Sequence, residues 1–294
     1  MADGGNDATT RRRRPPPGRI SPQALADARG GALEGLDWLG RQPESKASLL
    51  YRAMRLLARA ILQGAFRFRI ETSGQEHLPR GGYLIVGAAH RGWMDPFVVL
   101  HAIPVQPRAW FLGSGPSTFT SRWRESFIRR LGGLLPVWRG GIGVDVHVAS
   151  ARAVVANGGV FAQMPEGTVS GPPGRIGPFR NGWALIALRV LAPIVPLAMA
   201  GTEELYIGKR MASRVLPATS VADLLGPEWD GVIPAEGTRE ELELAKRLSA
   251  ALAARLGPVV EELHPATVDP PDHARRLRKR LTWLFLRAGR LDRE

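Results

Sequence analysis

The stretch AAHRGWMDPF, residues 88–97, sets His90 five positions ahead of Asp95. A histidine can take a proton near neutral pH because its reference pKa lies close to the working pH. A carboxylate bonded to its other ring nitrogen fixes the tautomer and stabilises the imidazolium. The intervening RGWM reads as a tight turn that folds the aspartate back toward the ring. Asp95 also precedes Pro96, and Asp-Pro is a common helix start, with Asp as N-cap and proline at the first helical position. Both duties can coexist, because a carboxylate has several acceptor sites. On this pair alone, a catalytic couple and a loop histidine ahead of an ordinary helix cap both stand.

The elements that must position the pair follow from hydrophobic patterning. GYLIVGAAH reads as a buried strand that delivers His90, and FRFRIET, 66–72, as a strand with one apolar face. Further strands are expected at AWFLG, LLPVW, GVFAQM and PIVPLAMAG, with helical patterns at about 96–103, 119–131, 144–157 and 181–190. This alternation implies an α/β fold, a mostly parallel central sheet flanked by helices, with an N-terminal amphipathic helix and C-terminal helices. In such sheets binding groups gather in the loops after the carboxyl ends of strands. The stretch holding His90 is one of those ends.

Four regions are expected: a disordered basic, Pro-rich tail over 1–46, an amphipathic helix over 47–64, the α/β domain over 65–230, and a C-terminal helical region with a basic amphipathic tail over 231–294. In the helix Leu49, Leu50, Met54, Leu57 and Ile61 recur at helical spacing, with Arg52, Arg55 and Arg59 on the other side. Such a helix either faces the core with a solvated basic side or lies on an anionic membrane surface. Over 238–263 a second helix is expected, with Thr238 and Glu241 forming a capping box. The last segment sets Arg275, Arg276, Arg278, Lys279 and Arg280 beside Trp283, Leu284, Phe285 and Leu286, a combination suited to a membrane interface.

The 40 Lys and Arg against 27 Asp and Glu leave a net charge of +13, which favours anionic partners: nucleic acid, anionic lipid or phosphorylated substrates. With no cysteine, disulfides, thiol nucleophiles and cysteine-ligated zinc drop out. RRRR at 11–14 has no apolar segment behind it, so no signal peptide is expected, and VLAPIVPLAMAGT is too short to span a bilayer.

Downstream blocks extend the pair into an ordered set. GGLLPVWRGG delivers Arg139 at a strand end, MPEGTVS a Glu-Gly turn at the next, and PFRNGWALIAL and APIVPLAMAGTE follow. Together these resemble the glycerophospholipid acyltransferase family, which includes 1-acylglycerol-3-phosphate acyltransferases. His90 and Asp95 match its His-x4-Asp block, Gly133 and Arg139 its second, Pro165, Glu166, Gly167 and Thr168 its Pro-Glu-Gly-Thr, and Pro193, Ile194, Val195 and Pro196 its fourth. GQEHLPRGG is similar to the family's Gly-x-Glu-Asn-Leu-Pro lead-in. The resemblance covers roughly 66–203, and its specificity lies in the order of the blocks.

The resemblance implies an O-acyltransferase of phospholipid biosynthesis or remodelling, a transferase of lipid metabolism. His90 would deprotonate an acceptor hydroxyl that attacks an acyl thioester, acyl-CoA or acyl carrier protein, with Asp95 orienting the ring. It implies no metal, no cofactor beyond that thioester co-substrate, and no covalent acyl-enzyme. The acceptor would be a lysophospholipid, and the enzyme membrane-associated, peripheral or monotopic on the cytoplasmic face. A phosphate on the acceptor asks for arginine, which grips it bidentately. Arg139 is the foremost candidate, and Glu166 would orient it or bond the acceptor's glycerol, with Gly167 and Thr168 in the same turn. Backbone amides at residues 91–92 and at Gly167 are candidate oxyanion donors.

Two departures bear on the acceptor. Val169 stands where the family has an arginine, with Arg175 and Arg180 close enough to compensate, and Arg91-Gly92 follow the histidine, bringing a further charge. A serine hydrolase built on His90 and Asp95 is the competing reading, but GSGPS at 113–117 lacks a nucleophile elbow. A nucleic-acid binder rests on net charge alone, without a reading module, so no nucleic acid is expected. A non-catalytic membrane protein is opposed by the intact His-x4-Asp.

Overall fold

The computed structural model describes residues 46–114, 131, 133–137, 144–168 and 171–268. The tail over 1–45, most of the helix expected at 119–131, Arg139, Val169 and the basic segment beyond 272 lie outside the described residues.

Ser48 starts the first helix: its hydroxyl accepts from the Tyr51 amide at 3.2 Å, and α1 runs Leu49–Arg59. A π-helical turn over Ala60–Ala65 extends it, so the strand expected from Phe66 begins only at β1, Arg69–Ser73. The chain continues through β2 (Tyr83–Ala88), α2 (Asp95–Ala102), β3 (Ala109–Ser114), β4 (Leu134–Val137), α3 (Val144–Ala156) and β5 (Val160–Gln163). It ends with α4 (Gly182–Val190), β6 (Ile194–Ala200), β7 (Arg210–Val215), α5 (Val221–Leu225) and α6 (Arg239–Leu263).

The strands form one sheet in the order β1-β7-β6-β2-β5-β3-β4, and every neighbouring pair is parallel except β6 with β7. Gly133 illustrates a glycine the register needs. Its φ is 91° and a Cβ there would sit 3.0 Å from the Ala109 carbonyl, where β4 joins β3.

Side chains alternate across β2 and so build two cores. Leu84, Val86 and Ala88 join Trp110, Phe161, α3, α4 and α6 on one face. Tyr83 and Ile85 join Phe111, Val195, α2 and Leu62 on the other. Leu248, Leu252 and Leu256 of α6 are wholly buried in the first core, so the C-terminal helix is part of the same hydrophobic unit. Each such leucine contributes on the order of 1.5–3 kcal/mol.

Helix α1 turns its apolar side outward. Tyr51 and Leu62 are buried and Arg55 is half-buried, whereas Leu49, Leu56, Leu57 and Ile61 are exposed, Leu49 at 84% and Leu56 at 70%. Arg55 donates instead to the carbonyls of Leu100, Ile103 and Pro104 at the end of α2.

Thr238 does cap α6, accepting from the Glu241 amide at 3.2 Å. The expected box is only half formed. The Glu241 carboxylate takes the Gly237 amide and both sides of Arg189, at 2.6 and 2.7 Å, instead of returning to Thr238. Arg189 and Glu241 are both buried, and the short bonds from Arg189 hold the Glu241 carboxyl below its usual range. A depressed carboxyl contributes stability above its unfolded pKa and loses it as pH falls through the folded value. Glu241→Ala should therefore cost about 3 kcal/mol in denaturant unfolding at pH 7, with a deficit that shrinks as the buffer is made acidic.

Candidate active site

Strands β2 and β5 lie side by side in parallel, with Val86 opposite Gln163. The chain leaves both at the same edge of the sheet. His90, four residues past Val86, and Glu166, three past Gln163, consequently arrive together.

The His90 ring meets Asp95 through Nδ1 and Oδ2 at 2.6 Å. The same oxygen accepts the amides of Arg91 at 2.6 Å and Gly92 at 2.8 Å. Asp95 is fully buried, and among the described residues its Oδ1 receives no hydrogen bond. Bonding to the carboxylate assigns the ring proton to Nδ1 and the lone pair of the neutral ring to Nε2, the tautomer a general base needs. The His90 side chain keeps 21% of its surface exposed, so the ring stays within reach of solvent.

Asp95 is not the N-cap that the sequence suggested. It is the first residue of α2, with Pro96 next, and the cap position is Met94, which makes no side-chain cap bond. The carboxylate reaches back into the turn because three donors converge there, while the positive end of the helix still favours its charge.

Glu166 is also buried, at 1% exposure, and its Oε1 accepts the His90 backbone N–H at 3.1 Å. Its Oε2 has no hydrogen-bond partner among the described residues. Burial raises its pKa, and the hydrogen bonds from its own backbone and that of His90 offset this in part. Where the sequence offered Glu166 as a partner for Arg139 or an acceptor's glycerol, the structure makes it the latch between the β5 turn and the β2 loop.

The other predicted residues divide. Gly167 (φ 67°) closes the turn, its amide donating to the Met164 carbonyl at 3.1 Å, and Thr168 sits half-buried beside it. The amides of Arg91, Gly92 and Gly167, expected as oxyanion donors, are thus bonded within the protein, because the turns that carry them close on themselves. Arg91, expected to bring charge to a ligand, donates to the carbonyls of Gly171, Pro172 and Arg175, tying that loop to the turn that holds His90. Arg175 faces outward and pairs with Glu261 at 3.6 Å.

Arg180 comes closest to the expected role. Its amide donates to the Pro165 carbonyl and its Nε to the Glu166 carbonyl at 3.2 Å, while its stem lies on Gly167, where a Cβ would meet Cδ at 2.9 Å. The side chain is exposed, and its terminal nitrogens make no hydrogen bond among the described residues. The fourth block, Pro193 to Pro196, starts the strand beside β2: the Pro193 carbonyl accepts from Leu84, and Pro196 lies opposite Val86.

Sequence reasoning passed over Trp93 and Phe97, whose rings meet edge to face at 5.9 Å beside the pair. Their i,i+4 spacing was the available signal. Among the described residues no three His, Asp or Glu side chains come together in a way that could hold a metal ion, and no helix is long and apolar enough to cross a membrane.

A family model described as Acyltransferase matches residues 69–200. Uncharacterized proteins of Mycobacterium bovis and Mycobacterium tuberculosis are 28% identical over 200 residues, covering 60% of this chain and 52% of theirs. The chain spans about half the length of these curated relatives. The crystal structure of the 1-acyl-sn-glycerophosphate (LPA) acyltransferase PlsC from Thermotoga maritima aligns with a TM-score of 0.55 at 20% identity, over 82% of this chain and 90% of that one. That likeness establishes a shared fold.

Because burial raises the Glu166 pKa, the folded state loses stability as pH rises from the unfolded value through the folded one. Glu166→Gln removes that titration. Thermal melts of the two proteins should show the variant gaining on wild type between pH 4 and pH 7; parallel curves would mean that the carboxyl is not held in a desolvated site.

Proposed function

Residues 69–200 are an acyltransferase-family domain, and from that premise we propose that the chain transfers a fatty acyl group from an acyl thioester to the hydroxyl of a lysophospholipid. The observation that carries the reading is the 2.6 Å bond between His90 Nδ1 and a buried Asp95 at the end of a central strand.

In the proposed step His90 Nε2 removes the proton from the acceptor hydroxyl as its oxygen attacks the thioester carbonyl. The C–O bond forms, the tetrahedral intermediate collapses, and the C–S bond breaks. The departing thiolate takes the proton back from the imidazolium, so the ring returns to its starting state and an ester and a free thiol leave. Asp95 stays charged throughout, steadying the imidazolium while the two turn amides keep its oxygen in line. Glu166 holds the His90 backbone, a positioning role. No acyl-enzyme is formed and no cofactor enters beyond the thioester, acyl-CoA or acyl carrier protein.

An acceptor phosphate would meet the exposed guanidinium of Arg180, joined by Arg139 in the sequence's second block, with 1-acylglycerol-3-phosphate or a relative as acceptor. The exposed leucines of α1 support attachment to the surface of a membrane, placed on the cytoplasmic side where acyl thioesters are made, and the net charge of +13 supports an anionic one.

Purified protein given a labelled acyl thioester and a panel of lysophospholipids tests this reading. His90→Ala should lower transfer by at least about 10³-fold with an unchanged melting temperature, and a fully active variant would sink it. Arg180→Gln should raise the KM for a phosphate-bearing acceptor about tenfold while sparing that of the thioester. Equal KM values for wild type and variant would remove Arg180 from the acceptor site.

A further inference from the structure

Between α1 and α2 lies a cavity of about 320 Å³ that neither His90, Asp95 nor Glu166 lines. Its walls are apolar at Leu56, Leu62, Ile70, Phe97, Leu100 and Ile103, and Arg52, Arg55 and Arg59 close one side. No Asp or Glu lines it, and among the described residues none of these arginines pairs with a carboxylate. Arg55 is spent on the carbonyls at the end of α2, but Arg52 and Arg59 are exposed and, among the described residues, each bonds only through Nε, to the Ala47 carbonyl and to Gln63.

His101 also lines the cavity, its Nδ1 bonded to the Thr72 hydroxyl at 3.1 Å. Burial, then the charges of Arg59 and Arg55, holds its imidazole below the ordinary range, as a site already positive would. Cation and apolar wall thus share one space, and the molecules that satisfy both are anionic amphiphiles.

The surroundings narrow the source. Leu56, on the cavity wall, belongs to the outward face of α1 with Leu49, Leu57 and Ile61. A helix that lays this face on a bilayer brings the cavity to the level of the lipid headgroups. We propose that the cavity between α1 and α2 binds one anionic phospholipid drawn from the membrane, its phosphate on Arg52 and Arg59 and its chain along Leu62, Ile70, Phe97 and Leu100. The site rests on the membrane attachment read above and is separate from acyl transfer at His90. It gives α1 a selective grip on anionic bilayers beyond diffuse charge attraction.

The test is calorimetric titration of the full chain with dihexanoyl phosphatidylglycerol below its micelle concentration, against dihexanoyl phosphatidylcholine and inorganic phosphate. One site is expected, at least tenfold tighter for phosphatidylglycerol than for either alternative. Ala58→Trp, which fills the cavity with every arginine in place, should abolish binding. Arg52→Gln with Arg59→Gln should weaken it at least tenfold, and Arg152→Gln with Arg247→Gln, an equal loss of two charges on α3 and α6, should leave it unchanged.

Three results would overturn the proposal: equal affinity for the two lipids or for phosphate alone, an effect of the Arg52 and Arg59 substitutions no larger than that of the Arg152 and Arg247 pair, or displacement of the lipid by an acyl-CoA thioether, which would put it in the proposed acyl-transfer site. Failure of the membrane reading is seen separately. Leu49→Ser with Leu57→Ser and Ile61→Ser, none of them on the cavity wall, should lose sedimentation with vesicles of phosphatidylglycerol and phosphatidylcholine, and wild-type behaviour in that variant removes the premise while monomer binding still reports on the site.

Discussion

One buried oxygen, Asp95 Oδ2, receives the His90 ring and the amides of Arg91 and Gly92, and the geometry of the site depends on it. Three donors within 2.8 Å satisfy that oxygen where water does not reach it. The same contacts close the turn between β2 and α2, so the orientation of the histidine and the entry of the helix are one structural event. Loosening either would loosen the other.

The sheet supplies the second half of the arrangement. Because β2 and β5 run in parallel with Val86 opposite Gln163, the β5 turn lies beside the β2 loop, and Glu166 reaches the His90 amide. Arg91 then fastens the Gly171–Arg175 loop to that turn, and Arg180 lies over Gly167 at the rim. Polar groups that look interchangeable in a motif therefore sort into buried struts and an exposed guanidinium. Arg180 keeps its terminal nitrogens exposed at that rim.

Helix α1 shows how a pattern can fix a helix and leave its orientation open. Its apolar and basic positions recur at helical spacing, which leaves open which side meets the protein. Arg55 settles the matter by capping the carbonyls at the end of α2, and this turns Leu49, Leu56, Leu57 and Ile61 outward. A core-facing helix would have buried that stripe. The outward stripe and the arginines beside it support the proposed attachment of α1 to a membrane surface.

Much of the fold was legible in the chain itself. Buried strands such as GYLIVGAAH are continuous apolar runs, and their alternation with helical patterns carries the parallel α/β architecture. His90 and Asp95 were legible because five residues are few enough for a local turn to bring them together. Strand β7 was missed, since its basic residues at Arg210 and Arg214 break the apolar run and it pairs antiparallel to β6. The roles of Glu166, Arg91 and Arg180 were beyond sequence reasoning for a different reason. Hydrogen bonds across 76 to 84 residues, such as Glu166 to His90 and Arg91 to the 171–175 loop, depend on strand order and register. The sequence by itself determined the local couple and the kind of sheet that carries it; tertiary structure alone decided which carboxylate is buried, which arginine is drawn into the loops and which face of α1 meets the outside, because those are set by what each side chain finds across the fold.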